Sequence, residues 1–287
     1  MRDLIILLAN LCRYFLTKEY LYIILQPLME NKMKITLLGT GTSQGVPVIA
    51  CRCEVCLSSN PKDNRLRSSV MIEVDNINLV IDTGPDFRQQ MLREEVEKVD
   101  AVLFTHHHKD HVAGMDDIRA FNYRWKKDMQ LYCTKPTEEA LKKEFPYVFA
   151  EVKYPGVPEV RINIIRNEPF KIQDTTIIPI EAQHYMMPVF GFRIKNFVYL
   201  TDVSAISEAE KEKMKGADLI ILDALRKKPH ISHFNLEQAL ALLAELKPKQ
   251  ALLIHISHYM GLNDEVNKEL PSHINLAYDR QVINLNE

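Results

Sequence analysis

Beyond Met33 the chain reads as short apolar runs, each broken by turn residues or a polar cluster. Runs rich in Val, Ile, Leu and aromatic side chains, too short for helices, predict strands over residues 34–38, 69–74, 77–81, 101–104 and 130–132. The same signal predicts further strands over 162–165, 176–180, 190–194, 197–200, 219–222 and 251–254. Helical spacing of apolar positions occupies 137–145, 207–214 and 236–246 instead; Asn235 introduces the last as an N-cap and Pro248 stops it. Strands and helices interleave to the end, with no Gly/Ser-rich linker, internal repeat or low-complexity tract. That order predicts an α/β fold, a single domain of two packed sheets with helices outside.

Polar side chains able to bind a metal follow these apolar runs repeatedly. Thr105-His106 comes after Phe104, and His184 closes the stretch after Ile180. Asp202 follows Leu200-Thr201, and His255 follows Ile254. Strand ends that converge on one edge are rigid supports, which is what a precise site needs.

Composition narrows the class. With 46% hydrophobic and 26% charged residues, the 287-residue chain has the make-up of an ordinary globular protein. A formal net charge of −2 provides no global field for nucleic acid or an anionic membrane. Of five cysteines, Cys51, Cys53 and Cys56 crowd together, which does not suit a disulfide framework and fits reduced, metal-binding thiols in the cytoplasm. Cys12 and Cys133 read as ordinary thiols. Residues 1–32 hold apolar runs over 4–11 and 20–25, both short of the roughly 18 residues that a membrane span requires. They also lack a convincing signal-peptide cleavage site. They are read as an extension, or the product of a start codon set too early, ahead of a domain over 33–287. A short anchoring helix is the other reading.

The densest chemistry lies in Thr105-His-His-His-Lys-Asp-His111, which contains His-x-His-x-Asp-His as His106, His108, Asp110 and His111. Imidazoles two apart on an extended turn point the same way, so His106 and His108 can share one metal while Asp110 and His111 face another. Imidazole with carboxylate suits zinc, manganese or iron. This motif resembles the signature of the metallo-β-lactamase superfamily. The resemblance implies an αββα sandwich and assigns further positions in order. His184 would complete the first metal, Asp202 would bridge both, and His255 would be the last ligand of the second. Asp82, in Val-Ile-Asp-Thr-Gly, would orient the histidines from behind.

Two cations sharing a carboxylate acidify a common water and stabilise charge on the attacked group, a natural arrangement for displacement at phosphorus. The leaving oxygen then needs a proton. His233, in His230-Ile-Ser-His233-Phe-Asn, resembles the position where phosphodiesterase members carry a catalytic histidine. His230 is the alternative donor, and a helix-capping role is the structural alternative for His233. Asp110 and His233 are the expected catalytic residues.

Cys51-x-Cys53-x-x-Cys56 offers three of the four ligands that a closed structural zinc site requires. In His255-Ile-Ser-His258 the second histidine is placed to supply the fourth. Together with the dimetal motif, this resembles the phosphoribosyl 1,2-cyclic phosphate phosphodiesterases of the carbon–phosphorus lyase pathway. The expectation is therefore a phosphodiesterase with two catalytic divalent metals, manganese or zinc, and one structural zinc. Its partner would be a small, cyclic phosphodiester, with no nucleic acid and no membrane, and a homodimer is compatible with the sequence. Ser68-Ser69 with Arg65 and Arg67 would hold phosphate or form a solvated turn. The rival readings are a tRNA 3′-processing nuclease, which would need a basic surface, and a non-catalytic protein akin to the pyrroloquinoline quinone biosynthesis member of the fold. An intact ligand set favours catalysis over the latter.

Overall fold

A computed structural model describes residues 32–286. The first sheet begins with β1 (Lys32–Gly39), β2 (Ser69–Val74), β3 (Ile77–Ile81), β4 (Ala101–Leu103), β5 (Met129–Cys133) and β6 (Val160–Ile164). The second sheet holds β7 (Phe170–Ile172), β8 (Thr175–His184), β9 (Met187–Ile194), β10 (Phe197–Leu200), β11 (Ala205–Ile206), β12 (Leu219–Asp223), β13 (Gln250–Ile254) and β14 (Ile274–Leu276). The last strand, β15 (Val282–Asn286), returns to the first sheet and pairs antiparallel with β1, Lys32 opposite Asn286. Strand order is β15-β1-β2-β3-β4-β5-β6 in one sheet and β11-β8-β9-β10-β12-β13-β14 in the other, with β7 beside β8.

Alternation decides which side chains meet. In β2, Val70, Ile72 and Val74 face the second sheet, where they join Ile177, Phe192, Tyr199 and Leu252 in the central core, while Met71 faces outward. The parallel strand β12 has no polar face before its final residue: Leu219 and Ile221 point into that core, Ile220 and Leu222 into the layer behind it. Helices close both outer faces. The first sheet is covered by α1 (Phe87–Arg93), the single turn α2 (Lys109–Val112), α3 (Arg119–Trp125) and α4 (Lys135–Glu144). The second is covered by α5 (Glu208–Met214), α6 (Leu236–Leu246) and α7 (Asn263–Glu269). The result is the expected αββα sandwich.

Helix α6 occupies the span predicted for it. Asn235 accepts from Gln238 N (2.9 Å), and the Gln238 side chain accepts from Asn235 N (3.0 Å), a reciprocal cap. Two expectations differ. Strand β8 was expected to end at residue 180 but continues to His184; β11 pairs outside it there, so Glu181 and Gln183 sit on an outer strand pair that tolerates polar residues. Helices α1, α2, α3 and α7 and strands β7, β11, β14 and β15 were also not predicted: all are short, so they take their form from packing and pairing more than from a pattern of their own. No helix among the described residues is long and apolar enough to cross a membrane. The expectation for residues 1–32 lies, but for Lys32, outside the described residues.

Candidate metal centre

Strands β3, β4, β10, β12 and β13 run parallel within their sheets, so their C-terminal ends share an edge. At that edge three acidic or imidazole side chains sit on left-handed backbone: Asp82 (φ 65°), Asp202 (φ 56°) and His255 (φ 59°). This conformation is costly for residues other than glycine and clusters at functional sites. It breaks the chain out of the sheet where a ligand is needed. Glycines allow the neighbouring turns to touch. A Cβ on Gly84 would lie 2.1 Å from the Asp110 carbonyl oxygen, and one on Gly114 would lie 2.1 Å from the Gly84 carbonyl oxygen. Thr83 N donates to His111 O and Gly114 N to Thr83 O, each at 2.8 Å, locking the Asp82 turn to the histidine motif.

The expected ligands form two adjoining groups. His106, His108 and His184 make the first; Asp110, His111, Asp202 and His255 make the second; within each group the ligand atoms lie within 4.8 Å of one another. Asp202 faces both. Its Oδ1 lies 4.0 Å from His184 Nε2, and its Oδ2 lies 3.3 Å from His111 Nε2 and 3.2 Å from His255 Nδ1. Behind the ligands, Asp82 accepts from His111 Nδ1 (2.7 Å), Thr105 Oγ1 (2.8 Å) and Thr105 N (2.9 Å). His184 Nδ1 donates to the Ser232 carbonyl (2.7 Å), which leaves Nε2 to face the site. Thr42 Oγ1 meets His255 Nε2 (3.2 Å), and Ser68 Oγ meets its Nδ1 (3.3 Å).

These donors fit divalent cations. His106 Nε2 and His111 Nε2 are buried with no hydrogen-bond partner among the described residues. With His111 Nδ1–H given to Asp82, its Nε2 faces two carboxylates, an arrangement that favours positive charge between them, as a metal ion would supply. Burial opposes charge on His111, yet Asp110, Asp202 and Asp82 outweigh it and push its pKa well above the ordinary value. Burial, then the neighbouring His111, holds His106 well below its ordinary value, keeping it neutral and able to ligate.

His233 stands beside both groups, its ring 4.6 Å from that of His184 and 4.9 Å from that of His255. It does not cap α6; Asn235 does. Its Nδ1 lies 3.2 Å from Oδ2 of Asp223, the fully buried last residue of β12, and that oxygen also accepts from Val203 N (3.1 Å). Burial works against charge on His233, but Asp223 first, then Asp202 and Asp110, raise its pKa to about 9. His230 is less enclosed; its Nδ1 lies near Ser232 N and Oγ (3.3 and 3.2 Å), and burial followed by His233 lowers its pKa.

Asp223, Thr42 and Ser68 were absent from the expected ligand environment. The signal for Asp223 existed, an acid closing a buried apolar strand as Asp82 and Asp202 do. Hydroxyl residues such as Thr42 and Ser68 give no such signal. Neither reading of Arg65, Arg67, Ser68 and Ser69, as phosphate holders or as a solvated turn, is what their contacts provide. Arg65 is buried, bonded to Thr40 Oγ1 (2.9 Å) and the Ala277 carbonyl. Arg67 is bound to Asp86 (2.9 Å), and Ser69 Oγ donates to the Ile81 and Asp82 carbonyls. All are committed to holding loops and strand ends.

The cysteine cluster lies beyond His255. His258 Nδ1 is 3.3 Å from Cys51 Sγ, 3.3 Å from Cys53 Sγ and 3.5 Å from Cys56 Sγ. Ligands 2.0–2.3 Å from a tetrahedral zinc stand roughly 3.5 Å apart, so the four atoms already have suitable spacing. The Cys56 backbone N–H, and after it His258, bring the Cys53 thiol down to about 6; burial pushes Cys56 up to about 11. Cys133 sits buried in β5, its thiol pushed to about 12 by burial.

Comparison with known proteins agrees with this geometry. Residues 77–256 match the family described as beta-lactamase superfamily domain. A protein of Porphyromonas gingivalis named octanoyltransferase is 37% identical over 250 residues, covering 86% of this chain and 50% of that protein, so the chain spans about half its length. A coenzyme PQQ synthesis protein B of Methylorubrum extorquens is 25% identical over 221 residues, covering 67% of the chain and 72% of the relative. Among solved structures, a diphosphatase from the PhnP family superposes with a TM-score of 0.83 at 38% identity, covering 88% of this chain and 97% of that one. The match over most of the described fold, including the His-x-His-x-Asp-His segment, shows that the chain belongs to the metallo-β-lactamase superfamily and is similar to its PhnP family.

Proposed function

We propose that the chain is a dimetal phosphodiesterase that hydrolyses a small, cyclic phosphodiester. The observation that carries this reading is Asp202, one oxygen toward each ligand group, with His233 poised beside both. In this reading His106, His108, His184 and Asp202 hold one cation, and Asp110, His111, Asp202 and His255 hold the other. Manganese and zinc both suit the donors. Such cations supply Lewis acidity and an acidified water. The chain's own residues do the rest. Asp223 accepts from His233 Nδ1, fixing the ring so that Nε2 carries the proton given to the leaving alkoxide. Asp82 and Thr42 hold His111 and His255 in register. Cys51, Cys53, Cys56 and His258 bind a structural zinc.

Similarity along nearly the whole length of a diphosphatase supports phosphorus as the attacked centre. The formal charge of −2 disfavours the nuclease reading, since nothing global draws in a polyanion. Similarity to a protein named octanoyltransferase supports a second reading, attack at an acyl carbonyl. One panel separates them: a cyclic phosphodiester, bis-p-nitrophenyl phosphate and an octanoyl thioester, each with manganese or zinc. Turnover of the phosphodiesters alone is expected; turnover of the thioester alone would replace the first reading with the second. His233→Ala should then cost about 10²–10⁴-fold on the cyclic alkyl ester and much less on the p-nitrophenyl ester, whose leaving group needs no proton. Equal losses on both would remove His233 as the acid.

A further inference from the structure

A two-residue turn joins β8 to β9. His184 pairs with Met187, and Tyr185-Met186 form the tip between them. Tight hairpin turns favour Asn or Gly wherever φ is positive, because a larger side chain strains there. Here the positive φ (57°) belongs to a tyrosine. Its backbone N–H is fixed by Ser204 Oγ (2.9 Å), which in turn donates to the Gln183 carbonyl (2.9 Å). The tip is therefore held in shape, yet its side chains are left in water: Tyr185 is 55% exposed and Met186 79% exposed. Turn chemistry explains neither residue.

A third apolar side chain faces solvent nearby. Ile231, 68% exposed, lies between His230 and His233, in the loop whose Ser232 carbonyl accepts from His184 Nδ1 at 2.7 Å. That hydrogen bond ties the hairpin to the loop. Met186 and Ile231 thus belong to two segments joined beside the rings of His184 and His233, which are 4.6 Å apart.

We infer that Tyr185, Met186 and Ile231 form an apolar seat for the arm of the diester that bears the leaving oxygen, and that this arm carries an alkyl or aryl body; in a cyclic diester it stays attached to the phosphate after ring opening. The inference rests on the phosphodiesterase reading and adds the chemistry of one substrate arm. The reaction itself is unchanged: water adds to phosphorus, one P–O bond breaks, and the leaving oxygen, carried on the apolar arm, takes its proton from His233. Exposed apolar side chains gathered on two tied segments beside a catalytic site are expected to mark a binding surface, and their place next to His184 and His233 assigns them to the arm bearing the leaving oxygen rather than to the phosphate.

The test compares methyl phenyl phosphate with methyl 2-naphthyl phosphate, whose leaving phenols are close in acidity but differ in apolar area. The metal-loaded wild-type protein should turn over the naphthyl ester with about 10-fold higher kcat/KM, carried by a lower KM. Tyr185→Asn suits the backbone of the turn, so it should hold or raise Tm while lowering that ratio. Met186→Ser and Ile231→Ser should each bring it toward unity with metal content unchanged. A wild-type ratio near unity, or variants that keep the wild-type ratio, would overturn the inference while leaving the hydrolase reading intact. Variants that dissociate a dimer without changing the ratio would overturn it as well, giving the apolar seat to a second copy of the chain. No turnover of either ester, with thioester turnover instead, would count against the underlying phosphodiesterase reading.

Discussion

The two metal-binding clusters lie next to one another along the chain, His255 in one and His258 in the other, yet they are built in opposite ways. The ligands of the proposed dimetal centre are mostly buried and anchored at strand ends or in the α2 turn, and each histidine among them but the more exposed His108 is steadied by a partner behind it: Thr105, Asp82, Ser232 or Thr42. The cysteines sit in a partly exposed loop over residues 51–56 outside any strand, and its backbone hydrogen bonds are local: Cys51 N to Val48 O (3.0 Å), Leu57 N to Cys53 O (3.0 Å) and Val48 N to Cys56 Sγ (3.4 Å). In the first cluster the fold places the donors, so that an ion would enter a prepared site. In the second, the proposed zinc would itself tie the loop to the end of β13. The difference teaches which perturbations should affect chemistry and which should affect folding.

The largest effect should follow Asp202→Ala. It removes the carboxylate that, among the described residues, faces both groups, so the variant should lose bound metal from both positions and activity should fall to background. Elemental analysis beside a circular dichroism melt checks this, and full metal content in an inactive variant would contradict the bridging role. Next comes Cys53→Ser, which should release one zinc and lower Tm by roughly 5–10 °C, with kcat for the remaining folded enzyme little changed. A variant that keeps both its zinc and its Tm would erase the contrast between the clusters. Thr42→Val should have the smallest effect. It deletes only the hydroxyl behind His255, and partners of this kind typically cost about 10–100-fold in metal affinity. A metal titration of activity should move to higher concentration while Tm in saturating metal stays put.

Much of this contrast was legible before any coordinates. His106, His108, Asp110 and His111 fall within six positions, and Asp202 and His255 follow apolar strands, so local pattern and order carry the ligand set. The three cysteines declare themselves by spacing. What stayed hidden depends on tertiary contact. Asp223 reads as the tail of a buried strand until His233 is seen to fold back onto it. Arg65 reads as a phosphate-binding cation or part of a solvated turn, but burial against Ala277 makes it a tie between loops. The short helices α1 and α3 owe their form to packing on the first sheet rather than to periodicity of their own.

The pairing of β15 with β1 bears on the topology of the whole molecule. Because Lys32 stands opposite Asn286, the two ends of the described chain are neighbours in one sheet. A short linker could join them, and the chain could be reopened in the exposed segment over 151–155, where no strand pairing would be interrupted. Every strand end that carries a ligand would keep its neighbours in such a circular permutant. The metal centre is thus a property of which strands adjoin, and it is indifferent to the order in which a ribosome supplies them.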